Sequence, residues 1–164
     1  MTRNVLVSVF ALFMVLLAGN SIAQSSDQQG KDDKILNDYF AKNNIKATKT
    51  PSGLYYVINR KGTGENAKPG QQVTMLYYGY FLDGKMFDGN MDKSYNPAAG
   101  KRPFTFPLGA GRVIRGWDEG VQLLNKGCRA TLYLPSGIAY GPNGGGPIPP
   151  NSVLAFDVEV ESIQ

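Results

Sequence analysis

The stretch of sequence that decides the fold is Phe104-Thr-Phe-Pro-Leu-Gly-Ala-Gly-Arg-Val-Ile-Arg-Gly-Trp117. It opens with a predicted strand, Phe104–Pro107, and the two glycines that follow indicate a turn. Trp117 then begins a short pattern, continued by Val121 and Leu124, that repeats at helical spacing. The stretch therefore predicts a strand, a turn and one short helix whose apolar face carries the only tryptophan of the chain.

Further strands are predicted on both sides of this stretch, and the last of them is the clearest. Between Leu154 and Val160 apolar residues alternate with acidic ones, as in a strand with one buried face. Asp83-Gly84 indicates a hairpin turn. We therefore expect an α+β fold, in which a twisted antiparallel sheet of five or six strands wraps around one short helix. The predicted strands are Leu54–Asn59, Gln72–Leu82, Phe104–Pro107, Lys126–Leu134 and Val153–Ile163.

The large apolar side chains near Trp117 lie where a small core does not usually place them. Aromatic residues in a small β domain mostly form its core, but these fall at element ends and in turns, where function tends to collect. Almost none of them can act as an acid, a base or a nucleophile. They predict a dry pocket that binds an apolar group and excludes water. One reaction that needs little more than such a pocket is rotation about an X–Pro amide bond. The residues concerned are Phe104, Val113, Ile114, Tyr140 and Ile148.

Composition argues against several other classes of function. The chain has 164 residues, a formal charge of +4 from scattered basic residues, and no histidine, which disfavours nucleic-acid binding, a zinc site and a serine hydrolase. Asp88–Asp92 begins like a calcium loop, but Lys93 and Ala99 stand where that loop needs glycine and glutamate. Gly144–Gly146 lacks the lysine of a phosphate loop. We therefore expect neither a metal nor a cofactor.

The only cysteine, Cys128, rules out an intrachain disulfide. It falls in a predicted strand on the same face as Ala130, Leu132 and Leu134. A free cysteine on such a face behaves as a small hydrophobe, so we expect a buried, inert thiol.

Residues 1–23 have the pattern of an export signal. Arg3 provides the positive charge, Val5–Ala18 provides the apolar core, and Ser21-Ile22-Ala23 is a cleavage site of small residues. The alternative is a membrane anchor, but a span needs about 20 apolar residues and this run is shorter. We expect a mature chain that begins at Gln24 and is periplasmic or secreted.

A polar segment, residues 24–50, is expected to precede the main domain. Residues 24–33 are predicted to be disordered, and a short amphipathic helix is predicted from Asp32 to Ile45 because its apolar residues repeat at helical spacing. This helix either packs on the main domain or pairs with a second copy, so the chain is expected to be a monomer or a weak homodimer. Lys49–Gly53 is predicted as a linker or turn. The segment Gln24–Thr50, which includes the helix, is expected to be dispensable for turnover of short peptides. The apolar stripe is Ile35, Leu36, Tyr39 and Phe40.

From Pro51 to Gln164 the chain resembles the FKBP-type peptidyl-prolyl cis–trans isomerases, the macrolide-binding immunophilins. Many motifs occur in the family's order, so the resemblance is specific. Thr50–Tyr56 also resembles the entry to the domain in exported bacterial members with an N-terminal helical extension. The motifs are Tyr77-Tyr78-Gly79, Leu82-Asp83-Gly84, Phe87-Asp88, Pro103–Gly109, Val113–Trp117, Ala139-Tyr140-Gly141, Ile148-Pro149-Pro150 and Leu154-x-Phe156.

The resemblance implies a set of site residues around Trp117, which would form the floor of the pocket. Its catalytic group would be Asp88, Tyr140, Trp117 and Tyr77. The Ile114 backbone N–H would add a polar contact, and Ile148 would close one edge. The substrate-binding residues would be Phe87, Phe104, Val113, Ile114, Ile148 and Phe156.

Three departures from the family pattern stand out. The segment Gly89–Arg102 is longer than usual, so the family's basic partner for Asp88 cannot be placed, and Arg102 is a candidate. The loop after Tyr140 is shorter, and Pro147 precedes Ile148 where isoleucine is common. All three are expected to alter how longer substrates are held.

The resemblance implies isomerisation of X–Pro bonds in exported proteins, without a cofactor. The expected partners are proline-containing unfolded or partly folded polypeptides, with macrolides as possible ligands. Neither nucleic-acid binding nor a membrane span after signal cleavage is expected. One alternative is a chaperone or proline-peptide-binding module with incidental turnover. A structural domain with a degenerate site is disfavoured, because Tyr77, Asp88, Trp117 and Tyr140 are present together.

Overall fold

The computed structural model describes residues 27–164 of the chain. It begins in a helix, α1, which covers 27–43, and contains one further α-helix, α2, at Arg115–Gly120. Single 3-10 turns lie at Val121–Leu123, Ser136–Ile138 and Gly141–Asn143. The strands are β1 Thr48–Lys49, β2 Tyr55–Arg60, β3 Thr63–Asn66, β4 Gln72–Phe81, β5 Met86–Gly89, β6 Phe104–Pro107, β7 Asn125–Lys126, β8 Arg129–Leu134 and β9 Leu154–Ile163.

Seven of the strands form one antiparallel sheet in the order β1-β2-β8-β9-β4-β5, and β6 also pairs with β4. The remaining two, β3 and β7, form a separate pair. The predicted α+β class is confirmed. The main sheet has more strands than the expected five or six, because β1 and β5 are too short to show an alternating pattern in the sequence.

β5 and β6 share the same side of β4. β6 pairs with its first half, Gln72–Met75, and β5 pairs with its second half, Tyr78–Tyr80. Between them the buried Asn90 side chain takes the place of a strand: its Oδ1 accepts from the Tyr77 N–H at 2.7 Å and its Nδ2 donates to the Met75 carbonyl at 3.2 Å. The sheet therefore changes partner at Tyr77 without leaving backbone groups unpaired.

Helix α2 packs against the concave face of the sheet through two glycines. A Cβ built on Gly116 would lie 2.4 Å from Leu134 Cδ2, and one on Gly120 would lie 2.9 Å from Leu132 Cδ1. Only residues without a side chain allow the helix to come this close to β8. The close approach places Trp117, between the two glycines, inside the core with 4% of its surface exposed.

Helix α1 covers the opposite, convex face of the same sheet. Leu36 is fully buried and Phe40 is 7% exposed, and Phe40 contacts the rings of Tyr55 and Tyr133 at centroid distances of 5.1 and 4.9 Å. The apolar stripe predicted on this helix is therefore covered by the chain's own sheet, whereas Ile35 remains 47% exposed.

The N-terminal segment is more ordered than the sequence suggested. The prediction of disorder to residue 33 is wrong from residue 27 onward, where α1 is already helical. Lys49–Gly53 is not a free linker: β1 pairs with β2, and the turn between them is closed by a hydrogen bond from the Thr50 N–H to the Leu54 carbonyl at 2.8 Å. The expected boundary at residue 50 thus crosses a paired hairpin.

The predicted strand Lys126–Leu134 is divided in the structure. Gly127 has φ of 79°, a left-handed conformation that interrupts the extended backbone, so β7 ends before it and β8 begins at Arg129. Cys128 lies in the gap rather than in a strand. It is buried, as predicted.

Candidate active site

Trp117 forms the floor of an aromatic cluster at the start of α2. The rings of Tyr77, Phe156, Phe106 and Phe104 surround its indole at centroid distances of 5.2, 5.4, 5.9 and 6.1 Å. Most of these contacts are edge-to-face or tilted, which aromatic rings favour over direct stacking. These contacts form a packed apolar surface around the indole.

A second group of rings extends this surface along β5 and β9. Phe87 meets Phe156 at 5.5 Å and Phe81 at 5.1 Å. Gly79 makes the approach possible, because a Cβ there would lie 2.7 Å from the Phe87 ring and 2.9 Å from the Phe156 ring. This is the physical reason for glycine in the Tyr77-Tyr78-Gly79 motif.

The turn before α2 is held by a carboxylate of the helix itself. Asp118 accepts from the Gly109 N–H through Oδ1 and from the Gly111 N–H through Oδ2, both at 2.9 Å. Ile114 is the N-cap residue, and its carbonyl accepts from the N–H groups of Trp117 and Asp118. These bonds fix the half-buried Val113 and Ile114 beside the tryptophan.

Asp88 and Tyr77 form the polar part of the cluster. The Tyr77 hydroxyl donates to Asp88 Oδ2 at 2.8 Å, and Asp88 Oδ1 accepts from the Gly89 N–H at 2.8 Å. Burial, and then the hydrogen bond to Asp88, raise the pKa of Tyr77. Burial and the charge of Asp88 also raise the pKa of Tyr140. Both phenols therefore stay protonated at neutral pH and remain hydrogen-bond donors.

Tyr140 and Ile148 come from the loop between β8 and β9. Tyr140 follows the turn Ser136–Ile138 and is 39% exposed. Ile148 is 5% exposed, and its N–H and carbonyl both bond to Gly145 at 2.9 Å. Tyr140 thus stands at the rim of the site, while Ile148 belongs to the core cluster below it.

Arg102 does not pair with Asp88 in the described part of the chain. Its contact there is through its backbone carbonyl, which accepts from Asn90 Nδ2 at 3.2 Å. The candidate partner for the aspartate is therefore wrong, and in the structure the Tyr77 hydroxyl and the Gly89 N–H hold the Asp88 carboxylate.

Within the long segment Gly89–Arg102, Lys93 and Tyr95 lie over the convex face of the sheet. The Lys93 Nζ lies 5.3 Å from the centre of the Tyr80 ring, and the Arg129 guanidinium lies 4.4 Å from that of Tyr95. Asn59 Nδ2 donates to the Tyr95 hydroxyl at 3.1 Å. The expectation that this segment alters how longer substrates are held stays a prediction.

The structure brings most of the predicted residues together, and it adds some that the sequence prediction missed. Tyr77, Phe87, Asp88, Phe104, Trp117 and Phe156 are linked by the contacts above. Phe106 could have been found, because residues two apart on a strand share a face and Phe104 had been identified. Asp118, Asn90 and Phe81 carried no signal by themselves.

Two properties of the described residues, 27–164, bear on the site. No three His, Cys, Asp or Glu side chains are grouped so that they could hold a metal ion. Within the same residues, neither helix has the length and apolar character needed to cross a membrane.

The chain was then compared with known proteins. The sequence profile of the FKBP-type peptidyl-prolyl cis-trans isomerases matches residues 63–161. The chain belongs to this family. The resemblance stated from the motifs is therefore confirmed, and with it the FKBP-like fold.

Relatives of this FKBP-type chain differ in length. It is 40% identical over 138 residues to the FKBP-type peptidyl-prolyl cis-trans isomerase FkpA of Aeromonas hydrophila, which covers 84% of the chain and 47% of that protein. The chain thus spans about half the length of this relative. It is also 43% identical over 113 residues to a peptidyl-prolyl cis-trans isomerase of Schizosaccharomyces pombe, covering 68% of the chain and 95% of that protein.

Among solved structures, FkpA from Escherichia coli matches all of the FKBP-type chain. It does so with a TM-score of 0.68 and 28% identity, over 74% of the FkpA chain. AtFKBP13 matches 73% of the chain over its own full length, with a TM-score of 0.65 and 33% identity.

Proposed function

We propose that this chain is a peptidyl-prolyl cis–trans isomerase that accelerates the folding of exported proteins. The observation that carries the proposal is the Trp117 floor ringed by aromatic side chains, with two protonated phenols and one carboxylate at its margin. With apolar rings, hydrogen-bond donors and one carboxylate, this arrangement can bind and orient a peptide bond and exclude water from it. The reaction it suits best is one in which no bond is broken.

An amide bond resists rotation because twisting removes its resonance, which creates a barrier of about 18–20 kcal/mol. The twisted amide has a less polar carbonyl and a pyramidal nitrogen, so it tolerates a dry apolar site better than the planar ground state does. A site that binds the twisted form more tightly than the planar form accelerates the rotation. A gain of about a millionfold requires roughly 8 kcal/mol of such preference.

The residues of the site would divide this work. Trp117 would hold the proline ring, with Phe104, Phe87, Phe156, Val113, Ile114 and Ile148 excluding water around it. The Tyr140 hydroxyl and the Ile114 N–H would each donate a hydrogen bond to a substrate carbonyl. Asp88, oriented by Tyr77, would face the carbonyl carbon of the twisting bond and stabilise its altered charge.

Export is part of the proposal. It rests on the signal pattern of residues 1–23, which lie outside the described residues, and on the relationship to FkpA of Aeromonas hydrophila. The substrates would be proline-containing segments of unfolded or partly folded proteins in the periplasm or outside the cell. Macrolides would compete with them for the Trp117 floor. Intact-mass measurement of the exported protein should give a chain that begins at Gln24, and retention of residues 1–23 would contradict export with cleavage.

A refolding assay on a protein limited by proline isomerisation tests the activity. We expect the chain to accelerate the slow phase and a macrolide to abolish the acceleration. Trp117→Ala should lose both effects, since it removes the floor of the site. If the chain prevents aggregation of the substrate but leaves the slow phase unchanged, the chaperone alternative replaces the isomerase.

A further inference from the structure

Helix α1 reaches the loop that carries Tyr140 through one buried carboxylate. Asp32 is 1% exposed, and its Oδ2 accepts from both the N–H and the hydroxyl of Ser136, at 2.8 and 2.6 Å. Its Oδ1 accepts from Gln28 Nε2 at 2.8 Å. A buried carboxylate is tolerated only when it is hydrogen-bonded in this way.

The partner of Asp32 is placed to influence the rim of the site. Ser136 is itself 1% exposed and begins the 3-10 turn Ser136–Ile138, which leads through Ala139 to Tyr140. On the other side this turn rests on α2, since a Cβ on Gly116 would lie 3.3 Å from the Ile138 carbonyl oxygen. The turn is thus held between α1 and the helix that carries Trp117.

Asp32 is not required merely to dock α1 on the sheet, because the helix has separate anchors. Leu36 and Phe40 bury its apolar stripe. The neighbouring Asp33 accepts from Lys49 Nζ at 2.5 Å and from the Tyr55 hydroxyl at 3.3 Å, and none of its hydrogen bonds goes to the Tyr140 loop. The two adjacent carboxylates therefore have different targets.

We propose that Asp32 is a positioning residue for Tyr140, so that the N-terminal helix contributes to the active site of the isomerase. Asp32 lies outside residues 63–161, the part that matches the family profile. The inference rests on the proposed function for its effect on catalysis. It replaces the expectation that this helix is dispensable for turnover of short peptides.

A double-mutant cycle on the full chain tests the proposal. Asp32→Asn keeps the shape and one oxygen acceptor but loses the charge that strengthens both bonds to Ser136. It should lower kcat/KM on a tetrapeptide about three- to tenfold, the effect of misplacing one hydrogen-bond donor, the Tyr140 hydroxyl. In a Tyr140→Phe background the same substitution should change kcat/KM less than about twofold, because the hydroxyl it positions is gone. Asp33→Asn is the matched control on α1 and should leave kcat/KM unchanged.

Equal losses from Asp32→Asn and Asp33→Asn, or equal losses in the two Tyr140 backgrounds, would show that Asp32 serves stability alone. Hydrogen exchange of the amides at 139–141 provides a readout that needs no turnover. We expect Asp32→Asn, but not Asp33→Asn, to accelerate that exchange. Unchanged exchange would overturn the proposal even if the chain had no isomerase activity. Should Asp32→Asn not fold, Ser136→Ala removes one of the two bonds and should accelerate the same exchange.

Discussion

At the scale of single residues, Asp88 and Tyr77 act as a pair. The 2.8 Å bond from the Tyr77 hydroxyl occupies one carboxylate oxygen, and the Gly89 N–H occupies the other. The carboxylate is therefore fixed in direction. A fixed negative charge stabilises a developing charge without reorganising, which is the main source of electrostatic catalysis.

We expect Asp88→Leu to lower kcat/KM on X–Pro peptides by about ten- to a hundredfold, or roughly 1.4–2.7 kcal/mol. In the proposed mechanism the loss follows from removing the charge that would face the twisting bond. Asp88→Asn removes the charge but keeps an acceptor for the Tyr77 hydroxyl. It therefore tests the effect of the charge separately from that of the hydrogen bond. Wild-type turnover in the asparagine variant would argue against an electrostatic role for this residue.

The pH dependence of turnover should be flat from about pH 6 to 8, because the proposed mechanism transfers no proton. The pKa values of Tyr77 and Tyr140 are both raised, so the two hydroxyls stay protonated through this range and beyond the usual tyrosine value. Activity carried by these donors is present below that value and is lost only as pH rises through the raised pKa. A rise or fall of more than about twofold between pH 6 and 8 would mean that a proton is transferred.

At the scale of elements, the position of α2 depends on the absence of two side chains. Gly116→Ala replaces a glycine with a strong helix former, which by itself would stabilise the helix by up to about 1 kcal/mol. The new Cβ would meet Leu134, which is fully buried, at 2.4–2.5 Å. Overpacking of this kind usually costs about 1–3 kcal/mol, so the steric effect should win.

We therefore expect Gly116→Ala to lower the free energy of unfolding in urea and to weaken binding at the Trp117 floor. Gly137→Ala is the control, because a Cβ there would meet nothing within 4 Å. It should change the free energy of unfolding by less than about 0.5 kcal/mol. If the two variants are equally stable, the packing of α2 on β8 is looser than the structure indicates.

The elements also show which features can be predicted from sequence. β9 was predicted in full because apolar and acidic residues alternate along most of this ten-residue strand, and the Asp83-Gly84 turn was recognised from its composition. The end of β7 was missed, because the interruption depends on the φ of Gly127 rather than on a periodic pattern. The position of Gly89–Arg102 was also missed, since it depends on contacts between Tyr95 and residues as distant as Asn59 and Arg129.

At the scale of the whole molecule, the sheet has two covered faces with different partners. The concave face holds α2 and the site, and the convex face holds α1. Tyr77, Phe104 and Phe156, whose rings contact Trp117, were predictable because the family motifs mark them individually. The Asp32–Ser136 link was not predictable, since it joins residues 104 positions apart in the chain.

The packing of α1 on the convex face of the sheet should contribute measurably to the stability of the fold. Leu36→Ala removes a fully buried side chain of α1, and a leucine-to-alanine change in a core typically costs about 2–5 kcal/mol. We expect a large drop in the urea midpoint for Leu36→Ala. Ile35→Ala, at an exposed position of the same helix, should cost far less. Equal effects would mean that α1 is not docked on the sheet in solution.

The pairing of β1 with β2 has a consequence for any shortened form of the chain. A protein that began at Pro51 would lose the pairing of Thr48–Lys49 with Tyr55 and Tyr56 and would uncover the aromatic face beneath α1. Unpaired strand edges and large apolar patches favour aggregation. Such a fragment retains every residue proposed to contact the substrate, yet it is expected to precipitate. Loss of solubility and loss of catalytic chemistry therefore have separate causes in this chain.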